Sequence, residues 1–162
     1  MNSVPTHLIT RDAVEALYAD YAACLDAGRF ADWPAFFTAE CLYELQPREN
    51  FDRGLPLATL RFESQGMLRD RVFAIQETLF HQPYYQRHLI SQLRITALDE
   101  TRVNVEANYA VFRTKRGGVS EVFNVGRYLD VVNYLPSAEL KYSVKRCIFD
   151  SELILNSIIY PI

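Results

Sequence analysis

The sequence predicts an α+β fold, a cone in which N-terminal helices pack on a strongly curved, mainly antiparallel sheet with a possible pocket inside. Three observations carry this. Apolar residues between positions 11 and 78 recur largely at helical spacing, and those from His88 onward alternate as in strands. The two patterns are also segregated along the chain, whereas a parallel α/β sheet would interleave them.

Taken in order, Arg11 to Ala27 carries Val14, Leu17, Tyr18, Tyr21, Cys24 and Leu25 on one helical face. Thr10 or Asp12 can cap it, with Glu15 three residues after Asp12 as in a capping box, and Gly28 can end it in a left-handed turn. A short second helix is expected with Asp32 as its cap and Pro34 in its first turn, turning Trp33, Phe36 and Phe37 to the core. Cys41 to Gln46 alternates like a strand, with Cys41, Tyr43 and Leu45 on one face. Pro47 to Leu60 reads as an irregular excursion, broken by Pro47, Gly54 and Pro56. A third helix is expected from Ser64 to about Thr78, and His81 to Arg87 reads as a loop. Four strands then follow: Leu89 to Leu98, Arg102 to Lys115, Glu121 to Tyr134 and Glu139 to Phe149. Asp99-Glu100, Gly117-Gly118 and Leu135-Pro136-Ser137 supply the turns between them. The tail, Leu153 to Ile162, is strongly apolar. Residues 1–162 are read as one domain, long enough to bury a sound core.

Composition narrows the function. With 17 basic and 20 acidic residues the net charge is -3, which argues against a nucleic-acid binder. No apolar run approaches a membrane span, and the first ten residues lack a basic region followed by an apolar one. The three cysteines (Cys24, Cys41, Cys147) form neither a disulfide framework nor a metal-type pair, so reduced buried thiols and a cytoplasmic location are expected. Arginine supplies 14 of the basic residues, and Tyr and Phe number 10 each. Arg and aromatic residues are enriched at protein interfaces, so this composition permits an obligate oligomer; genomic bias and an aromatic core explain it equally well.

Motifs for common chemistry are missing. There is no GxGxxG, P-loop or GxSxG. His7, His81 and His88 are the only histidines; His81 and His88 lie seven apart with Pro83 between them, which does not suit a helical metal pair. A Rieske cluster needs two Cys and two His and a mononuclear iron site two His and a carboxylate, so this chain is expected to bind neither. One constellation keeps a catalytic alternative open: Asp26 or Asp32 with His88 could form an acid/base pair inside the cone. The same residues also read as helix-end and capping groups.

Over nearly its whole length the sequence resembles the beta (small) subunits of Rieske-type aromatic-ring-hydroxylating dioxygenases, which have the NTF2-like (cystatin-like) cone fold. The resemblance rests on Asp32-Trp33-Pro34-Ala35-Phe36-Phe37, on Met67-Leu68-Arg69-Asp70-Arg71, on Arg87-His88 and on Phe149-Asp150-Ser151. Three longer runs resemble the salicylate 5-hydroxylase branch of that family. They are Leu45 to Phe51 with Gly54 to Leu57, Pro83-Tyr84-Tyr85-Gln86-Arg87-His88, and Asn156 to Ile162.

The resemblance implies a non-catalytic structural subunit, forming a trimer within an alpha3beta3 hexamer. It implies an oxygenase acting on salicylate- or benzoate-like acids. The catalytic alpha subunit would carry the Rieske [2Fe-2S] cluster and a mononuclear Fe(II), with electrons from NAD(P)H through a reductase or ferredoxin. A stand-alone dehydratase or isomerase of the same fold, or a ligand-binding cone, is the alternative.

Three segments are then interface candidates. Tyr84, Tyr85 and Arg87 offer aromatic anchors and a guanidinium fork, and Arg48, Glu49, Phe51 and Arg53 mix charge with aromatic surface. Tyr160 and Ile162 would bury an otherwise frayed tail. For each, packing within the chain or a solvated loop is the plain alternative, as it is for the charges of Arg69-Asp70-Arg71.

Overall fold

A computed structural model describes residues 9–154 and 157–162; His7, and Leu155 and Asn156 of the tail, lie outside the described residues. Helix α1 (Arg11–Asp26) starts at Thr10, whose hydroxyl accepts from the Ala13 N–H at 3.2 Å. Asp12 is therefore not the cap, and Glu15 pairs with Arg11 at 2.7 Å, one turn back, as solvated i,i+4 partners do. Gly28, at φ 70°, ends the helix and lets the Arg29 N–H reach the Cys24 carbonyl at 3.0 Å. A 3-10 helix (Phe30–Phe36) follows with Arg29, not Asp32, at its cap. Asp32 lies inside it as an exposed partner of Arg29 at 3.5 Å. Trp33 is fully buried, Phe36 half-buried, and Phe37 already opens strand β1 (Phe37–Pro47).

The expected excursion at Pro47 to Leu60 is partly ordered. One helical turn, α2 (Arg48–Asp52), is fixed by the Arg48–Asp52 and Arg53–Glu49 pairs, and Gly54 at φ 66° turns the chain out of it. Strand β2 (Leu60–Phe62) returns antiparallel along β1. Because this segment lies over β1, Glu44 and Gln46 on its outer face are buried too; Gln46 donates to the Leu55 carbonyl at 2.7 Å. Helix α3 (Gln65–Phe73), capped by Ser64, runs into a wider turn over Ala74–Thr78.

The second departure is larger. His81 to Arg87 is not all loop: β3 (Tyr84–Ala97) begins at Tyr84, paired with Lys115. Tyr84, Gln86 and His88 face inward, while Tyr85, Arg87 and Leu89 face outward. Polar Gln86 and His88 on the buried face conceal the alternation that would reveal a strand.

Strands β4 (Arg102–Lys115), β5 (Ser120–Tyr134) and β6 (Leu140–Phe149) complete a six-stranded sheet in the order β2-β1-β6-β5-β4-β3. Every pairing is antiparallel except β1 with β6, which sets Tyr43 beside Lys145 and Leu45 beside Cys147. Register shifts interrupt four of the five pairings. Such bulges add local bend and twist, which curl the sheet around α1 and α3. At Gly126 the backbones come so close that a Cβ would stand 2.0 Å from the Ile148 carbonyl oxygen.

Among the described residues the cone is filled. Trp33 meets Tyr43 edge-on at 5.1 Å and Phe37 at 5.6 Å, and Tyr142 meets Tyr21 at 5.5 Å. Edge-to-face contacts place a ring's positive rim on a neighbour's negative face, adding about 0.5–1.5 kcal/mol each to the area buried. The tail enters the same interior, with Ile158, Tyr160 and Ile162 all buried.

Candidate functional site

The last turn of α1 and the edge strand β3 bring Asp26 and His88 together. The His88 Nδ1–H donates to Asp26 Oδ1 at 2.6 Å, and the same carboxylate accepts the His88 backbone N–H at 3.0–3.1 Å. The first bond orients the imidazole, and in a neutral ring it leaves Nε2 as the acceptor nitrogen. The second closes an otherwise open backbone donor on the sheet edge. The ring is fully enclosed and Nε2 is buried without a partner among the described residues. A cleft of about 390 Å³ between α1 and β3, lined by Arg11, Glu15, Tyr18, Gln92 and Leu93, also touches His88. Since the ring has no exposed surface, His88 shows that cleft only main chain. Asp32 lies on the surface, away from the pair.

A second polar cluster escaped sequence reasoning. Lys145 on β6 and Asp130 on β5, cross-strand partners, form a fully buried ion pair at 3.0 Å. Lys145 Nζ lies 3.5 Å from the ring centre of Tyr128 and within 4.8 Å of those of Tyr18, Tyr21 and Tyr142. The ring faces attract the ammonium and replace part of its lost hydration. Asp130 also accepts from the Tyr18 hydroxyl and from the Arg146 N–H. Burial pushes the Asp130 carboxyl up against the pull of Lys145, and burial holds the Tyr18, Tyr128 and Tyr142 hydroxyls well above their ordinary range. The signal in the sequence was a charge at a position flanked on the same face by Tyr128 and Val132 in one strand and near Tyr142 and Cys147 in the other.

The interface candidates divide. Tyr84 is packed within the chain, 4.4 Å from Tyr160 and 6.0 Å from Phe123, with Arg113 over its ring. Tyr160 and Ile162 are buried in the cone, and Tyr84 is half-buried against them. Arg48, Glu49 and Arg53 are exposed in charge pairs on and beside α2, Arg48 also reaching Asp150 at 3.3 Å, and Phe51 is half-buried beneath Arg127. Tyr85 and Arg87 stand outward on β3. Cross-strand register adds residues the sequence reading overlooked: Leu89, Phe112 and Val122. Tyr85 (75% exposed), Leu89 (56%) and Val122 (53%) thus form an apolar patch around Arg87. The outward alternation of β3 to β5 could have revealed it. Farther along the same outer face, Leu129, Val131 and Val144 floor a cleft of about 540 Å³ beside Arg94, Glu106 and Arg146.

Among the described residues no cluster of three His, Cys, Asp or Glu side chains could hold a metal ion. The two iron centres associated with this resemblance therefore do not fit this part of the chain, and no chemical step runs through them here.

The helix-backed cone and its ring-filled interior define a class: the chain belongs to the SnoaL-like domain family, whose profile matches residues 6–136. It is 37% identical over 142 residues to the anthranilate 1,2-dioxygenase small subunit of Burkholderia cepacia, covering 88% of each chain. It is 32% identical to a beta subunit of the terminal oxygenase component of terephthalate 1,2-dioxygenase from a Comamonas species, covering 76% of this chain and 80% of that one. A structure assigned as the beta subunit of an aromatic-ring-hydroxylating dioxygenase from Novosphingobium aromaticivorans superposes with a TM-score of 0.83. That chain is 35% identical, with 93% of this chain and 94% of that one covered. The chain is thus a member of the small (beta) subunits of aromatic-ring-hydroxylating dioxygenases.

Proposed function

We propose that this chain is the structural, non-catalytic small subunit of a Rieske non-haem iron oxygenase that hydroxylates benzoate-like aromatic acids. The extended likeness to oxygenase small subunits, across nearly the whole length of both chains, carries the reading. Its partner would be a catalytic large subunit holding the [2Fe-2S] cluster and the mononuclear iron, fed from NAD(P)H through a reductase or ferredoxin. Three copies of each would form the assembly in the cytoplasm. Likeness to an anthranilate dioxygenase small subunit supports an ortho-substituted benzoate as the substrate class, and salicylate fits that description. The outer-face patch of Tyr85, Arg87, Leu89, Phe112 and Val122 suits docking, because exposed apolar side chains around a guanidinium fork supply both desolvation energy and orientation.

Light scattering of the purified chain is the first test. Three copies of 18.7 kDa give about 56 kDa, and co-expression with a Rieske large subunit should yield a stable complex. A monomer that ignores the large subunit would overturn the proposal.

A second reading, a stand-alone dehydratase or isomerase, is favoured only by the 2.6 Å Asp26–His88 contact. It requires a route to the enclosed Nε2. Under that reading His88→Ala abolishes an activity of the isolated chain; under the structural reading the variant loses only stability.

A further inference from the structure

Residues 157–162 are held in the cone by side chains instead of by a strand ladder. Arg71 Nη2 donates to the carbonyls of Ile158 at 3.1 Å and Ile159 at 2.9 Å, and Gln86 Nε2 to that of Pro161 at 3.3 Å. The Tyr21 hydroxyl donates to the Ile162 carbonyl at 2.8 Å, and the Tyr43 hydroxyl accepts the Ile162 N–H at 2.9 Å. The Tyr160 ring stacks on Phe30 at 4.5 Å and leans on Tyr84 at 4.4 Å.

The apolar side of this fit is complete and the polar side is not. Arg71 Nε and Gln86 Oε1 are buried with no hydrogen-bond partner among the described residues, and Gln86 is only 4% exposed. The described acceptors of the Arg71 guanidinium are neutral peptide carbonyls, with no carboxylate among them. A guanidinium fork holds a carboxylate through two parallel bonds, each roughly twice as strong as a bond between neutral groups. The site is therefore better furnished for a carboxylate than for the peptide that fills it.

We propose that this chamber is a binding site for a small planar aromatic carboxylate, and that the tail is its built-in, displaceable occupant. The carboxylate would engage Arg71 and satisfy its free Nε, while the ring would replace that of Tyr160 between Phe30 and Tyr84. This inference stands on the packing of the chain itself and does not depend on the role of the protein in an oxygenase. Tail and ligand compete, so the apparent affinity is reduced by the fraction of molecules in which the tail is out.

The test uses the full chain and benzoate as the probe, read by calorimetry, with benzyl alcohol as the uncharged counterpart. Tyr160→Ala loosens the plug and should bind benzoate at least ~10-fold more tightly than the parent protein, as a rise in the competent fraction requires. Adding Arg71→Met, which also releases the Ile158 and Ile159 carbonyls and so frees the tail further, should nonetheless remove that gain for benzoate while benzyl alcohol binds no more weakly than to Tyr160→Ala alone. Equal affinity in parent and Tyr160→Ala, no binding by either, or binding indifferent to Arg71 would overturn the proposal. If Tyr160→Ala does not fold, hydrogen exchange of the Ile162 amide in the parent protein decides. Faster exchange with benzoate supports displacement of the tail, and unchanged exchange overturns it.

Discussion

Single side chains in this molecule are governed mainly by how far they are removed from water. Burial pushes the thiol of Cys147 up to about 12 and that of Cys41 up to about 11, and raises Cys24 as well. The thiolate is the reactive form. Iodoacetamide at pH 8 should therefore leave the native protein unlabelled, while all three cysteines react in denaturant; mass spectrometry gives the count directly. Lys145 presents a different problem, an ammonium group enclosed in the interior beside Asp130 and the Tyr128 ring. Lys145→Met would leave the buried Asp130 carboxyl without its ammonium partner and should cost about 3–5 kcal/mol in urea unfolding. Lys145→Met combined with Asp130→Asn should recover part of that loss, because neither charge then remains. The pair was invisible in the sequence, since residues 130 and 145 meet only through the register of β5 with β6. Asp26 and His88 were legible as residue types suited to a dyad. Only the packing of α1 on β3 shows that Asp26 also seals a strand edge.

At the level of elements, legibility followed how local the cause was. The Gly28 turn, the Ser64 cap and both ends of β4 were readable because neighbours in sequence determine them. The start of β3 and the course of β2 were hidden because distant partners determine them. The β3–β4 turn offers a pH test. Hydrogen bonds from the Thr101 N–H and from Arg102 hold the Asp99 carboxyl down at about 2. An unfolded Asp titrates near ~3.9, so this stabilisation is fully present above that pH and fades as pH falls toward about 2. Asp99→Asn should lower stability at neutral pH, with the gap from the parent closing in acid; a gap unchanged at pH 2 would refute the assignment. Gly126 offers a steric test. With the Ile148 carbonyl 2.0 Å from where a Cβ would stand, Gly126→Ala must pry β5 from β6 and should cost at least about 2 kcal/mol by thermal unfolding.

For the molecule as a whole, the composition only permitted an oligomer, and the outer surface that would serve one emerged from the folded sheet. Strands of a half-buried sheet are expected to alternate apolar with polar residues, yet β3 to β5 place Leu89, Phe112 and Val122 on the outer face. Joint replacement of Tyr85, Arg87 and Leu89 by Ala should leave the circular dichroism spectrum and melting temperature of the chain nearly unchanged. It should weaken association with the large subunit by more than about 2 kcal/mol, as expected for anchors at the centre of an interface. Equal association in pull-down titrations would move the docking surface elsewhere, with α2 as the next region to test.

The parallel pairing of β1 with β6 and the seating of Ile162 against Tyr21 and Tyr43 also bear on the birth of the protein. Residues separated by 141 and 119 positions must meet before the core is closed. During synthesis the N-terminal helices and β1 emerge about a hundred residues before β6, which covers Tyr43 and Leu45 through Lys145 and Cys147. Contacts so distant in sequence make closure of the core slow, and the apolar faces that wait for it stay open to aggregation for longer.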